Sequence, residues 1–139
     1  MRRKSVLPQK SHADMRALMQ AALGEEKADL AIINAKLVNV YTAEVQEPIG
    51  VAVKGPWIAR VSADVGDTIG AETRVIDAAG RTLIPGLIDG HTHLSWICSV
   101  AAFVPFAIAS GVTTVVTETL EPYPVAGIAG VLDMLESLQ

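Results

Sequence analysis

The chain has 139 residues, a net charge of −4 and one cysteine, with 50% hydrophobic and 19% charged residues. That is a globular balance; the negative charge argues against the basic face a nucleic-acid partner needs, and a lone cysteine excludes an intramolecular disulfide and fits a reducing cytoplasm. The length allows one ordinary domain but not a closed (β/α)8 barrel, which takes about 250 residues.

Arg2, Arg3 and Lys4 read as a solvated tail, and no apolar run follows them directly, so no secretory leader is expected. Ser11 to Leu23 carries apolar residues at Met15, Leu18, Met19, Ala22 and Leu23. This helical spacing has Ser11 as N-cap and Gly24 as stop. His12, near its start, is expected exposed and without a role.

From Asp29 to Val61 the pattern predicts short strands punctuated by turns: Leu30–Ile33, Leu37–Val40, Ile49–Val53 and Trp57–Val61, the last pair joined across Gly55-Pro56. A hairpin is expected at Asn34-Ala35, and the whole run suggests a small β-sandwich. Asp64 to Thr73 reads as a polar loop, after which Arg74–Asp77 and Arg81–Ile84 carry the chain onward.

Pro85-Gly86-Leu87-Ile88-Asp89-Gly90-His91-Thr92-His93-Leu94 is an apolar run ending in two histidines one residue apart. On a strand, alternate side chains share a face, so Asp89, His91 and His93 point one way. On a helix the same two imidazoles diverge by roughly 200° and cannot share an ion. The strand reading is thus also the metal reading, because neutral imidazole is a good ligand for zinc, manganese or iron. A strand apolar on both faces until its end also suits a parallel barrel, whose chemistry lies at the strands' C-terminal mouth.

No charge occurs from Leu94 to Thr117, which raises a membrane helix. Pro105, Gly111 and the recurring Ser and Thr argue instead for a buried helix, Ser99–Ser110, kinked at Pro105, and then a buried strand, Val112–Thr117. Cys98 is expected as a small buried hydrophobe. Glu118 and Glu121 follow the strand, on the side of the histidines. Gly127–Leu138 reads as a second helix with Ile128, Val131, Leu132, Leu135 and Leu138 on one face.

The run from Pro85 to His93 resembles the first barrel strand of the amidohydrolase superfamily. Ala22-Leu23-Gly24 through Ala28-Asp29-Leu30, Asn34–Tyr41, and Gly111–Glu118 are similar to adenine deaminases in order and spacing. The similarity runs from about Met15 to the end of the chain. It implies the N-terminal part of such an enzyme, an α/β chain in three parts: a tail and helix over 1–27, part of a small β-sandwich over 28–84, and over 85–139 the first two βα units of an incomplete metal-dependent (β/α)8 barrel. It further implies His91 and His93 as ligands of a divalent metal, Mn2+ or Fe2+ with Zn2+ as an option. Asp89, Glu118 and Glu121 then stand as supporting or substrate-facing carboxylates.

The implied reaction is adenine plus water to hypoxanthine plus ammonia by metal-activated hydroxide, with other ligands coming from later strands, so the 139 residues alone are expected to be inactive. A small-molecule purine, no nucleic acid, no membrane and a homo-oligomer complete the expectation. Two departures stand out: Ala35 replaces the Gly usual after Asn34, and Leu94-Ser95-Trp96 replaces Glu-Ser-Ser after the histidines. Two other readings stay open, a cyclic-amide hydrolase of the dihydroorotase or dihydropyrimidinase kind, and a non-catalytic remnant that self-associates through open sheet edges.

Overall fold

The computed structural model describes residues 10–94, 96, 98–118 and 121–137. The basic cluster at residues 2–4, Ser95, Ile97 and Leu138 lie outside them. The chain forms two compact units, Met1–Ile84 and Pro85–Gln139.

The first unit opens with α1 (His12–Leu23). Its start is fixed by a capping box, in which the Ser11 side chain accepts from the Asp14 N–H while the Asp14 carboxylate accepts from the Ser11 N–H. Its end is Gly24 in the left-handed region at φ 79°. The expected apolar stripe is only partly the packing face: Ala21 is fully buried, whereas Met15, Met19 and Leu23 are exposed. A small side chain at the contact lets the helix lie close to the sheet. His12 is exposed.

Five strands follow: β1 (Leu30–Asn39), β2 (Glu44–Lys54), β3 (Trp57–Ser62), β4 (Arg74–Asp77) and β5 (Thr82–Leu83). They make one mixed sheet of order β3-β2-β1-β4, with β5 also on β1. The described residues thus give a single sheet carrying α1, rather than two stacked sheets.

The hairpin expected at Asn34-Ala35 is absent; β1 runs through both residues with a bulge. Asn34 takes φ 55°, and its side-chain amide donates to Asp77 Oδ1 at 3.1 Å. Asn tolerates this left-handed conformation better than most residues. At the bulge β4 leaves β1 and β5 rejoins it, bridged by Gly80 N–H to Asn34 O and Lys36 N–H to Arg81 O. The turn signal was real, but it bends one strand instead of reversing the chain.

The loop after β3 also exceeds its sequence reading. It contains a 3-10 turn, Gly66–Thr68, and Val65 joins Ala28 and Ala52 in the core with Ile33 packed against them. Buried Thr68 is satisfied by donating to Val65 O at 2.7 Å. Arg60 on β3 donates to Ala22 O near the end of α1 and pairs with Asp67, placing a cation at a helix C-terminus.

The second unit contains β6 (Leu87–Thr92), α2 (Val100–Ala109), β7 (Val112–Thr117) and α3 (Pro122–Glu136). The two strands pair in parallel, joined through α2, as a βα crossover requires. Ser99 caps α2, accepting from Ala102 N–H, and Pro105 sits mid-helix, where it cannot donate to Ala101 O. Helix and strand were expected buried, but Phe106, Ile108 and Val116 are exposed, and Leu94 and Val100 are the buried apolar residues described in this unit. A parallel pair apolar on both faces needs cover on both, and α2 covers part of one. Cys98 is half-buried rather than buried.

The last helix starts earlier than Gly127, at Pro122, which suits a first helical turn. It is interrupted at Gly127, whose φ 60° and ψ −149° are open essentially to glycine alone. Ile128, Leu132 and Leu135 remain exposed. Among the described residues no helix is long and apolar enough to cross a membrane.

Candidate metal centre

The centre is built by strand register. Thr92 on β6 is paired with Thr117 on β7, so the next residues, His93 and Glu118, emerge side by side at the C-terminal ends of two parallel strands. His93 Nδ1 lies 2.7 Å from Glu118 Oε1. A register shift between Asp89 and Thr92 marks a bulge just before this point. There the Asp89 carboxylate accepts from the His91 backbone N–H at 3.1 Å.

His91 and His93 lie on one side, as alternation requires, with ring centroids 5.1 Å apart and planes at 84°. Their ring nitrogens and a Glu118 carboxylate oxygen lie within 4.8 Å of one another. Ligands of one zinc-like ion sit at about 2.0–2.2 Å, so their atoms are at most about 4.4 Å apart. The trio is already near that scale, and two imidazoles with a carboxylate are a donor set that suits zinc, iron or manganese.

Glu121 joins the cluster at the same ring nitrogen of His93 that Glu118 contacts. Its Oε1 is 2.8 Å from His93 Nδ1, and its Oε2 is buried with no hydrogen-bond partner among the described residues. The structure therefore brings together four of the five candidate residues. Asp89 is not in the donor group, because its carboxylate is used by the backbone of its own strand.

Sequence reasoning gave Trp96 no part here. Its ring stacks on His93, with centroids 4.4 Å apart and planes at 21°. An aromatic three residues after a histidine was the available signal; a turn that folds it back is not encoded by alternation.

No protein-family model matches the chain. Adenine deaminase 3 of Rhizobium meliloti (strain 1021) is 42% identical over 123 residues, covering 88% of this chain and 21% of that protein. The adenine deaminase of Ruegeria sp. (strain TM1040) is 44% identical over 115 residues, covering 82% and 19%. Over most of its length the chain is similar to adenine deaminases. It spans about one fifth of the length of these curated relatives, which fits the N-terminal portion of such a protein.

Solved structures agree at the level of fold. The N-acyl-D-glutamate deacylase of Bordetella bronchiseptica, complexed with zinc and a phosphonate inhibitor, matches 66% of this chain and 18% of its own at TM-score 0.53 and 25% identity. Molinate hydrolase matches 73% and 26% at 0.54 and 24%. A structure described as an amidohydrolase matches 73% and 29% at 0.52 and 22%. These likenesses show a fold shared over part of each chain.

Proposed function

We propose that this chain is the front part of a metal-dependent amidohydrolase that deaminates adenine to hypoxanthine and ammonia, with residues 85–139 as the start of its barrel. The observation that carries the reading is the convergence of His91, His93 and Glu118 at the ends of two paired parallel strands, within a stretch about two-fifths identical to adenine deaminases. His91 and His93 would hold a divalent ion, Mn2+, Fe2+ or Zn2+, with Glu118 as a third donor. Such an ion, when bound, supplies Lewis acidity and lets water act as a nucleophile near neutral pH.

The residues here do the holding and orienting. Strand register sets the spacing of the donors, the Asp89 contact holds the backbone leading into His91, and Trp96 lies against one face of His93. The chain has three histidines, and none follows His93. It therefore supplies part of a centre, and turnover needs further ligands and a proton donor for the leaving ammonia.

The test is complementation. Co-expressing residues 1–139 with the remaining barrel of a curated adenine deaminase, and adding Mn2+ or Fe2+, is expected to give adenine-dependent ammonia release that His91→Ala abolishes. Ring opening of dihydroorotate or dihydropyrimidines, with no ammonia released from adenine, would move the assignment to cyclic-amide hydrolysis; no ammonia from any purine would sink the substrate.

A further inference from the structure

The outward side of α1 is apolar as well. Successive residues on a helix turn by about 100°, so Ala21, the fully buried residue of α1, lies about 200° round the axis from both Met19 and Leu23. Met15, Met19 and Leu23 follow one another four residues apart and are 43%, 60% and 67% exposed. A helix apolar on both sides is covered on both in a working protein, and methionine adapts to irregular partner surfaces. The charges beside this stripe are graded along the helix. Arg16, in its first half, and Glu25, just past its end, are both exposed and make no ion pair among the described residues. Glu25 stands at the negative end of its own helix dipole, where a carboxylate is disfavoured.

We propose that the Met15, Met19 and Leu23 stripe is an interface between two copies of this chain, their α1 helices packed antiparallel about a two-fold axis near Met19. Such a contact sets one surface against itself, so Met19 meets Met19 of the second copy and Met15 meets its Leu23. The antiparallel sense follows from the charges. It brings the Arg16 end of each helix alongside the Glu25 end of the other and opposes the two dipoles, whereas a parallel pair would set arginine beside arginine and glutamate beside glutamate. A contact about 12 Å long is smaller than the standard interface of about 800 Å² per partner, so the pair is a weak one that forms at raised concentration.

The test uses the full 139-residue chain with its single cysteine replaced, Cys98→Ser, and one thiol introduced elsewhere. Under oxidation by copper phenanthroline, Met19→Cys is expected to give a disulfide-linked dimer much faster than Thr42→Cys, an exposed position outside α1, because residue 19 faces itself across the axis. In the Met19→Cys chain, Arg16→Glu should slow the linking about 3–10-fold and Glu25→Arg likewise, while the two together should restore it, since the exchanged charges again meet their opposites. Linking at residue 19 no faster than at residue 42 overturns the proposal, and marks either random association or a stripe covered by something other than a second copy. Arg16→Glu that speeds the linking overturns the antiparallel arrangement in favour of a parallel one. A double exchange no faster than either single one removes the charge pairing on which the choice of a second copy rests.

Discussion

Asp29 shows how much a single side chain organises. It accepts from the Gly55 N–H at 2.7 Å and from Lys54 Nζ at 3.1 Å, tying the start of β1 to the turn between β2 and β3. The Gly55 bond is the main reason its carboxyl lies below the usual range; Lys54 adds to this and partial burial opposes it. A depressed carboxyl favours the folded state above its unfolded value, and that contribution is lost as pH falls through the folded value. Stability should therefore decline below about pH 4, and Asp29→Asn should flatten that decline. Urea midpoints at pH 7 and pH 3 check it; an unchanged acid limb in the variant removes Asp29 as a cause. At this same scale the imidazole pair was legible because alternation is a property of any strand. Trp96 was not, because its position depends on how the chain turns after His93.

Single elements show where local signals stop. The turn signal at Asn34-Ala35 was readable, but its outcome depended on partners far along the sequence, and Gly127 was read as a helix start rather than as an interruption. Asn34 bends β1 because Asp77 and Gly80 meet it there, and Gly127 interrupts a helix whose start was set by Pro122. The caps of α1 at Ser11 and Gly24 were legible, since each acts within one turn of its own chain, while the reciprocal contact of Asp14 came from the structure. The pairing of β6 with β7 hangs on Gly86. A Cβ there would sit against Thr113 Oγ1 and Cγ2, with Thr113 Cβ at 2.8 Å. Thr113 is β-branched and cannot swing aside, so Gly86→Ala should cost about 1–3 kcal/mol and loosen the register that aligns His93 with Glu118. Faster amide exchange over residues 87–92, with weaker Zn2+ binding, would confirm this; unchanged exchange would show that the strands can adjust.

Across the whole molecule the two units are unequally furnished. Ala21, Ala28, Ala31, Ala35, Val51, Ala52 and Val65 are buried in the first, Leu94 and Val100 in the second. In the second, Ile88, Phe106, Ile108, Val125 and Ile128 are each about two-thirds exposed or more. Apolar surface on that scale is covered in working proteins. We expect the purified chain to bind a hydrophobic dye and to sediment above monomer mass, with amides of β1 and β2 exchanging more slowly than those of β6 and β7. A dye-silent monomer would mean that this surface is tolerated in water.

The alignment of Thr92 with Thr117 bears on loop closure. Glu121 is only 28 residues beyond His93, and the loop that joins them is closed by one helical crossover. The entropic cost of closing such a loop grows only with the logarithm of its length. The contact of His93 with Glu121 thus closes within a single strand–helix–strand crossover, so the histidine end of the cluster can form from one contiguous stretch of chain.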